Sequence, residues 1–205
     1  MLDKIVNSKP IESLTNFFSE IIGKPMIDGV GVLYTDAIRL KRIDNILKLE
    51  KKYKLRKSKN TEPTSLNFGY KLLDKASIEE DDYILDKWVD LLANATDKNF
   101  KYKVRRIFID ILEKLEPYDV KKFDEMNKLC LGSPNRYNSV IKMMNQNPKK
   151  DPETLNVLLS LGLITYGVTV NHGIKMGGLP ATTFHGLDSF TITDLGRSFY
   201  DSVNR

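Results

Sequence analysis

Two histidines, one cysteine, a run of four acids, a glycine pair and a dense stretch of lysine and arginine are the residues of this chain whose types could do chemistry. His172 and His185 share a glycine-rich segment, with no cysteine and no carboxylate at ligand spacing, so they do not make a metal-site signature. Cys130 is the sole cysteine, which excludes an intrachain disulfide and a cysteine-based zinc site. As a nucleophile it would need a base beside it, and both histidines are far away in sequence, so a buried core thiol is expected. Glu79, Glu80, Asp81 and Asp82 could attract a divalent cation, but four consecutive residues on a helix point around its circumference. Capping a helix N-terminus explains them better. Gly29-Val30-Gly31 lacks the third glycine and the preceding strand of a dinucleotide fingerprint, and no GxxxxGK[ST] motif occurs. The chain is therefore read as a non-enzyme without metal or cofactor.

The positive charge is the strongest remaining signal. Residues 39–59 carry Arg39, Lys41, Arg42, Lys48, Lys51, Lys52, Arg56 and Lys57, together with Lys54 and Lys59, against Asp44 and Glu50. That segment is net +8 in a chain of net +5, which leaves the remainder at −3. On a helix of 3.6 residues per turn Lys41, Lys48 and Lys52 fall near one azimuth, with Arg42 and Arg56 close by, so several could meet phosphates together. The eight residues named first are the candidate site for nucleic acid or another anionic partner. A solvated helix end, or a basic face meeting the acidic turn at 79–82, accounts for the same pattern. Lys98, Lys101, Lys103, Arg105 and Arg106 form a shorter cluster that could extend the same patch.

These residues must be positioned by helices. Ile11, Leu14, Phe17, Phe18, Ile21 and Ile22 predict a short amphipathic helix over 11–22, stopped near Gly23. Pro25 opens a second, long helix to about Lys57, with Val30, Leu33, Ala37, Leu40, Ile43 and Leu47 on one stripe. Gly29 and Gly31 there are expected to permit a close helix contact. After a polar loop at 58–65, helices are predicted over 66–75, then from a capping box at Ser77 and Glu80 through Trp88 to Ala95. Further helices follow over 104–115, from Pro117 to Leu131, and over 136–145. Trp88 lies on an apolar face and is expected in the core.

The composition changes near Asn147, the best candidate for a boundary. Three parts are expected: a helical domain over 1–97, a helical connecting region over 98–147, and a C-terminal unit over 148–205. In the last, Asp151 and Pro152 start a helix that Gly162 stops, residues 163–170 and 190–192 are strand candidates, and Thr193 caps a closing helix. Helix, hairpin with a long tip, and helix is the order of a winged helix. The fold class is thus mainly α, with a C-terminal winged-helix-like unit carrying a β-hairpin. Winged helices usually read DNA with the helix before the hairpin. Here residues 152–161 hold no Lys or Arg, only Glu153, Thr154, Asn156 and Ser160 among polar side chains, and the loop adds Lys175 alone. Phosphate would not be held there, so a protein partner or a second copy of the chain is expected on this unit.

No apolar run reaches the roughly 18 to 20 residues of a membrane span, and the N-terminus has no apolar signal segment. A cytoplasmic protein with no membrane contact is expected. The phrases Gly23-Lys24-Pro25, Ala76-Ser77, Trp88, Leu91-Leu92-Ala93-Asn94-Ala95 and Thr193-Asp194-Leu195-Gly196, in that order, resemble the bacterial Abi-alpha family, named for abortive infection. The resemblance spans about residues 20–203. It implies a role in phage defence, in which infected cells stop growing or die before phage mature, and it supplies no catalytic residues. The function expected is a defence protein that binds or senses, its basic helix contacting nucleic acid or another anionic partner; the alternative is a winged-helix transcriptional regulator.

Overall fold

The computed structural model describes residues 16–17, 19–21, 36–131, 140–142, 152–166, 169–172, 182–185 and 189–205. The chain forms two compact units, Met1–Lys114 with Asp201–Arg205, and Leu115–Tyr200. It is mainly helical. The division falls inside the stretch expected to be a connecting region, while the composition change near Asn147, Gly29 and Gly31 all lie outside the described residues.

In the first unit α1 (Asp36–Arg56), α2 (Leu66–Ser77), α3 (Asp82–Thr96) and α4 (Ile107–Glu113) enclose one core. Of the helix expected over 11–22, positions 16–17 and 19–21 are described and helical, with Phe17 and Ile21 buried. The buried stripe of α1 is Ile46, Leu49 and Tyr53, flanked by Asn45 and Glu50, whereas Ile43 and Leu47 are half-buried. The expected stripe is thus rotated, and Asn45 takes a core position by satisfying groups on another element. Asn45 donates through Nδ2 to the carbonyls of Ser77 (3.0 Å) and Glu79 (2.6 Å), orphan acceptors where α2 ends. Thr96 Oγ1 donates to Leu92 O at 3.0 Å, so its lone pair is left to receive the Tyr53 hydroxyl, also at 3.0 Å. Burial raises the Tyr53 pKa, and the Phe17 ring stands edge-on to it at 5.8 Å.

Ser77 does not cap α3. Its hydroxyl donates back to Asp74 O (2.6 Å), and the cap is Asp81, whose Oδ1 accepts from Tyr83 N (2.8 Å) and Ile84 N (3.0 Å). A carboxylate at this place meets the positive helix end directly, and it displaces the serine four residues earlier. Ile84, Leu85, Trp88, Val89, Leu91, Leu92 and Ala93 make α3 the central helix. The end of the chain fastens to it. Asn94 Nδ2 donates to Ser202 O (3.0 Å), Lys87 Nζ to Asn204 Oδ1 (2.5 Å) and Arg205 Nη1 to Asn94 Oδ1 (3.2 Å).

In the second unit α5 (Pro117–Leu131) and α6 (Pro152–Ser160) precede a hairpin closed by α7 (Asp194–Ser202), whose last residues belong to the first unit. The strands are β1 (Val140–Lys142), β2 (Ile164–Tyr166), β3 (Thr169–His172), β4 (Thr182–His185) and β5 (Ser189–Ile192). β5 lies between β1 and β2, antiparallel to both, with Ile141 opposite Phe190 and Ile164 opposite Ile192. Of the helix expected over 136–145, residues 140–142 are described, and they form the strand β1. Val140 and Ile141 suit either structure locally, and the β5 edge decides between them. β3 and β4 form a second ladder; Thr169 and Val170 end the expected strand over 163–170, while the rest of the ladder lies in the stretch expected to be loop. Gly162 ends α6 at φ 69°, with Leu163 N donating to Leu158 O at 3.0 Å. Thr193 caps α7 by accepting from Gly196 N at 2.9 Å. Leu158, Leu163, Ile164, Phe190, Ile192 and Phe199 are buried, as are Val120 and Phe123 of α5, and the Phe123 and Phe199 rings lie 6.1 Å apart.

Candidate functional site

α1 owes its exposed character to alternating cations, and the two helices packed against it are acidic on the facing side. Arg42 Nη1 reaches Asp74 Oδ1 of α2 at 3.2 Å. Lys52 and Arg56, one turn apart, face Asp86 and Asp90, one turn apart on α3. Lys52 Nζ lies 2.8 Å from Asp86 Oδ1, Arg56 Nη2 2.9 Å from the same oxygen, and Arg56 Nη1 3.1 Å from Asp90 Oδ1. Lys41 pairs with Glu80 and Lys57 with Glu20. Within α1, Lys54 pairs with Glu50 at 2.6 Å.

The predicted binding face is therefore largely a zipper of partly exposed ion pairs. Lys41, Arg42, Lys52, Arg56 and Lys57 all have carboxylate partners in the folded chain. Only Lys41 uses the acidic turn at 79–82. The other acceptors lie on helix bodies, and the matching one-turn spacings of Lys52 with Arg56 and Asp86 with Asp90 are the signal that reveals them in the sequence. Lys41 holds the Glu80 carboxyl below its ordinary pKa. Burial pushes Asp90 up, and the Arg56 guanidinium only partly opposes it.

Lys48 and Lys51 are exposed and have no carboxylate partner among the described residues. They line a groove of about 580 Å³ whose other walls are Asp44, Leu47 and the Lys41–Glu80 pair. The Arg39 side chain lies outside the described residues. Of the predicted site residues whose side chains are described, Lys48 and Lys51 are the two without a carboxylate partner.

The second cluster adjoins the end of the basic segment over 39–59, where Lys98 N donates to Asn60 O at 3.1 Å, but it does not adjoin this groove. Lys98, Lys101, Lys103, Arg105 and Arg106 follow the C-terminal end of α3, while the groove adjoins Glu80 before its start, about 22 Å away along the helix.

In the second unit the solvent face of α6 presents Glu153, Asn156 and Ser160, and Thr154 is buried against Asp119 at 2.7 Å. No cation faces outward from this helix. His172 and His185 stand at opposite ends of the β3–β4 ladder, paired with Thr182 and Thr169, so the backbone separates them by roughly 10 Å. The side chains of both, and that of Cys130, lie outside the described residues. Among the described residues no three His, Cys, Asp or Glu gather as a metal site, and no helix is long and apolar enough to cross a membrane.

Comparison with curated proteins and with solved structures gives no match. The model of one family, abortive infection alpha, matches residues 38–203, which takes in all but the first two residues of α1, α2 to α6, the whole second unit and the closing helix. The chain belongs to the abortive infection alpha family.

Proposed function

We propose that the protein is a cytoplasmic component of bacterial phage defence that acts by binding rather than by catalysis, its helical unit contacting nucleic acid or another anionic partner. Membership of a family named for abortive infection carries the defence role. The contact is supported by Lys48 and Lys51, which stay exposed on α1 while its other described cations turn to carboxylates. Two lysines give a modest, salt-sensitive contact that reads no sequence.

The second unit is winged-helix-like in this reading. The β1-β5-β2 order, with α6 ahead of the hairpin and α7 closing it, supports the comparison. Its outward α6 residues, Glu153, Asn156 and Ser160, suit a protein partner or a second copy of the chain better than phosphate.

Infection of a susceptible bacterial host tests the reading. Cells producing the protein should release fewer phage per infected cell and should not themselves survive. A Lys48→Ala/Lys51→Ala double variant of unchanged stability should lose most of that effect. Phage yields equal to those of cells lacking the protein would refute the defence role, and full protection by the double variant would remove the groove from it.

A further inference from the structure

The loop over 98–106 reads Lys-Asn-Phe-Lys-Tyr-Lys-Val-Arg-Arg and contains five cations and no acid. The fold holds its ends firmly. Thr61 bridges to Asp97, Lys98 N donates to Asn60 O at 3.1 Å, and Asn99 N donates to Asp97 Oδ1 at 2.9 Å. At the other end Phe108 N and Ile109 N return to the carbonyls of Arg105 and Arg106. The cationic side chains between these anchors point outward. Lys98, Lys101, Lys103, Arg105 and Arg106 are all exposed.

The carboxylates that could neutralise them are engaged elsewhere. Asp97 pairs with Arg205 at 2.6 Å. Burial would raise its pKa, but the Asn99 N–H, the Arg205 guanidinium and the Ser58 hydroxyl together hold it below the ordinary value. Asp110 pairs with Lys71, and Glu113 with Lys75 at 2.7 Å. Among the described residues Glu62 alone approaches a cation of the loop, 4.0 Å from Lys98. The positive charge is thus uncompensated at this end of α3, unlike on α1.

Aromatic rings are interleaved with the cations. Tyr102 is 42% exposed, its ring edge-on to Phe100 at 6.0 Å, with the Lys101 ammonium 5.4 Å from its centroid. We infer that the 98–106 loop is a contact for single-stranded nucleic acid, its cations on phosphates and Tyr102 stacked on a base. This partner uses both features at once. An acidic protein would satisfy the cations and leave the ring idle, a duplex hides its base faces, and one ring gives a membrane little apolar area. The inference rests on the binding role proposed above and names its ligand class, at a place distinct from the Lys48–Lys51 groove.

Fluorescence anisotropy of the full chain with labelled oligo(dT), oligo(U) and a duplex, over a range of salt, tests it. Single strands should bind more tightly than duplex. Lys103→Ala/Arg105→Ala/Arg106→Ala should flatten the slope of log K against log salt by about 0.7 for each phosphate that is no longer neutralised. Tyr102→Ala should weaken binding roughly 5- to 150-fold with the slope unchanged. Circular dichroism checks that the variants fold. Binding that survives the loop substitutions but falls with Lys48→Ala/Lys51→Ala would overturn the loop assignment and leave the broader binding role standing. Absence of binding to any nucleic acid, or binding only to vesicles of anionic lipid, would overturn the nucleic-acid assignment as a whole.

Discussion

Gly196→Ala is expected to unfold the closing part of the second unit, with a loss of about 3 kcal/mol or more. A Cβ at this position would stand 2.1 Å from Leu163 O and 2.9 Å from Leu163 C, which are backbone atoms that no rotamer change can move aside. The same Leu163 carbonyl accepts from Thr193 N at 3.0 Å, and the Thr193 hydroxyl donates to Gly162 O at 2.6 Å. Relief of the clash therefore has to break the cap of α7 or pull β2 away from β5. Hydrogen exchange is the measurement suited to a chain of two units, because it reads each separately. Amides of 158–166 and 190–200 should lose protection while those of 84–96 on α3 keep theirs. Full protection throughout would mean that Gly196 does not approach the Leu163 carbonyl.

Trp88→Ala should be the largest single loss in the first unit, about 3 to 5 kcal/mol. Trp88 is 1% exposed on the central helix, as deeply buried as Leu72, Leu92 and Phe108. A domain of this size has about 5 to 15 kcal/mol in all, so the variant would be marginal at best. Its indole Nε1 has no hydrogen-bond partner among the described residues. Trp88→Phe consequently gives up volume without giving up a hydrogen bond, and should cost only about 1 to 2 kcal/mol. Circular dichroism melts are needed, since Trp88 is the only tryptophan. Equal losses for the two variants would place a hidden partner on the indole nitrogen.

The parts of this fold legible in the sequence are those that local chemistry decides. Pro117 opens α5, Gly162 stops α6 with its positive φ, and Thr193 caps α7. Each acts within one turn of its own position. Trp88 in the core is equally legible, because α3 is strongly periodic.

The features that the sequence conceals depend on a distant partner. β1 becomes a strand only because β5, about fifty residues later, offers it an edge. Asn45 becomes a core residue only because α2 ends beside it. Asp81 prevails over Ser77 as a cap because the Ser77 hydroxyl finds Asp74 O first.

The charge pattern obeys the same rule, with more consequence for function. Counting cations marks out residues 39–59 but says nothing of what faces them. On α1 and just after it most of the described ones meet carboxylates of Asp74, Glu80, Asp86, Asp90 and Glu20. The shorter cluster at 98–106 has less charge in total and more of it uncompensated.

The division of α1 into structural and available cations is the central claim, and one comparison tests it most directly: chemical denaturation of Lys52→Ala/Arg56→Ala beside Lys48→Ala/Lys51→Ala. The first double variant breaks the zipper and leaves Asp90, 8% exposed, without its guanidinium, so it should lose about 2 kcal/mol. The second removes exposed side chains at no penalty in helix propensity and should stay within about 0.5 kcal/mol of the parent. Equal stability of the two double variants would contradict the account and return all the cations of α1 to the partner-binding face.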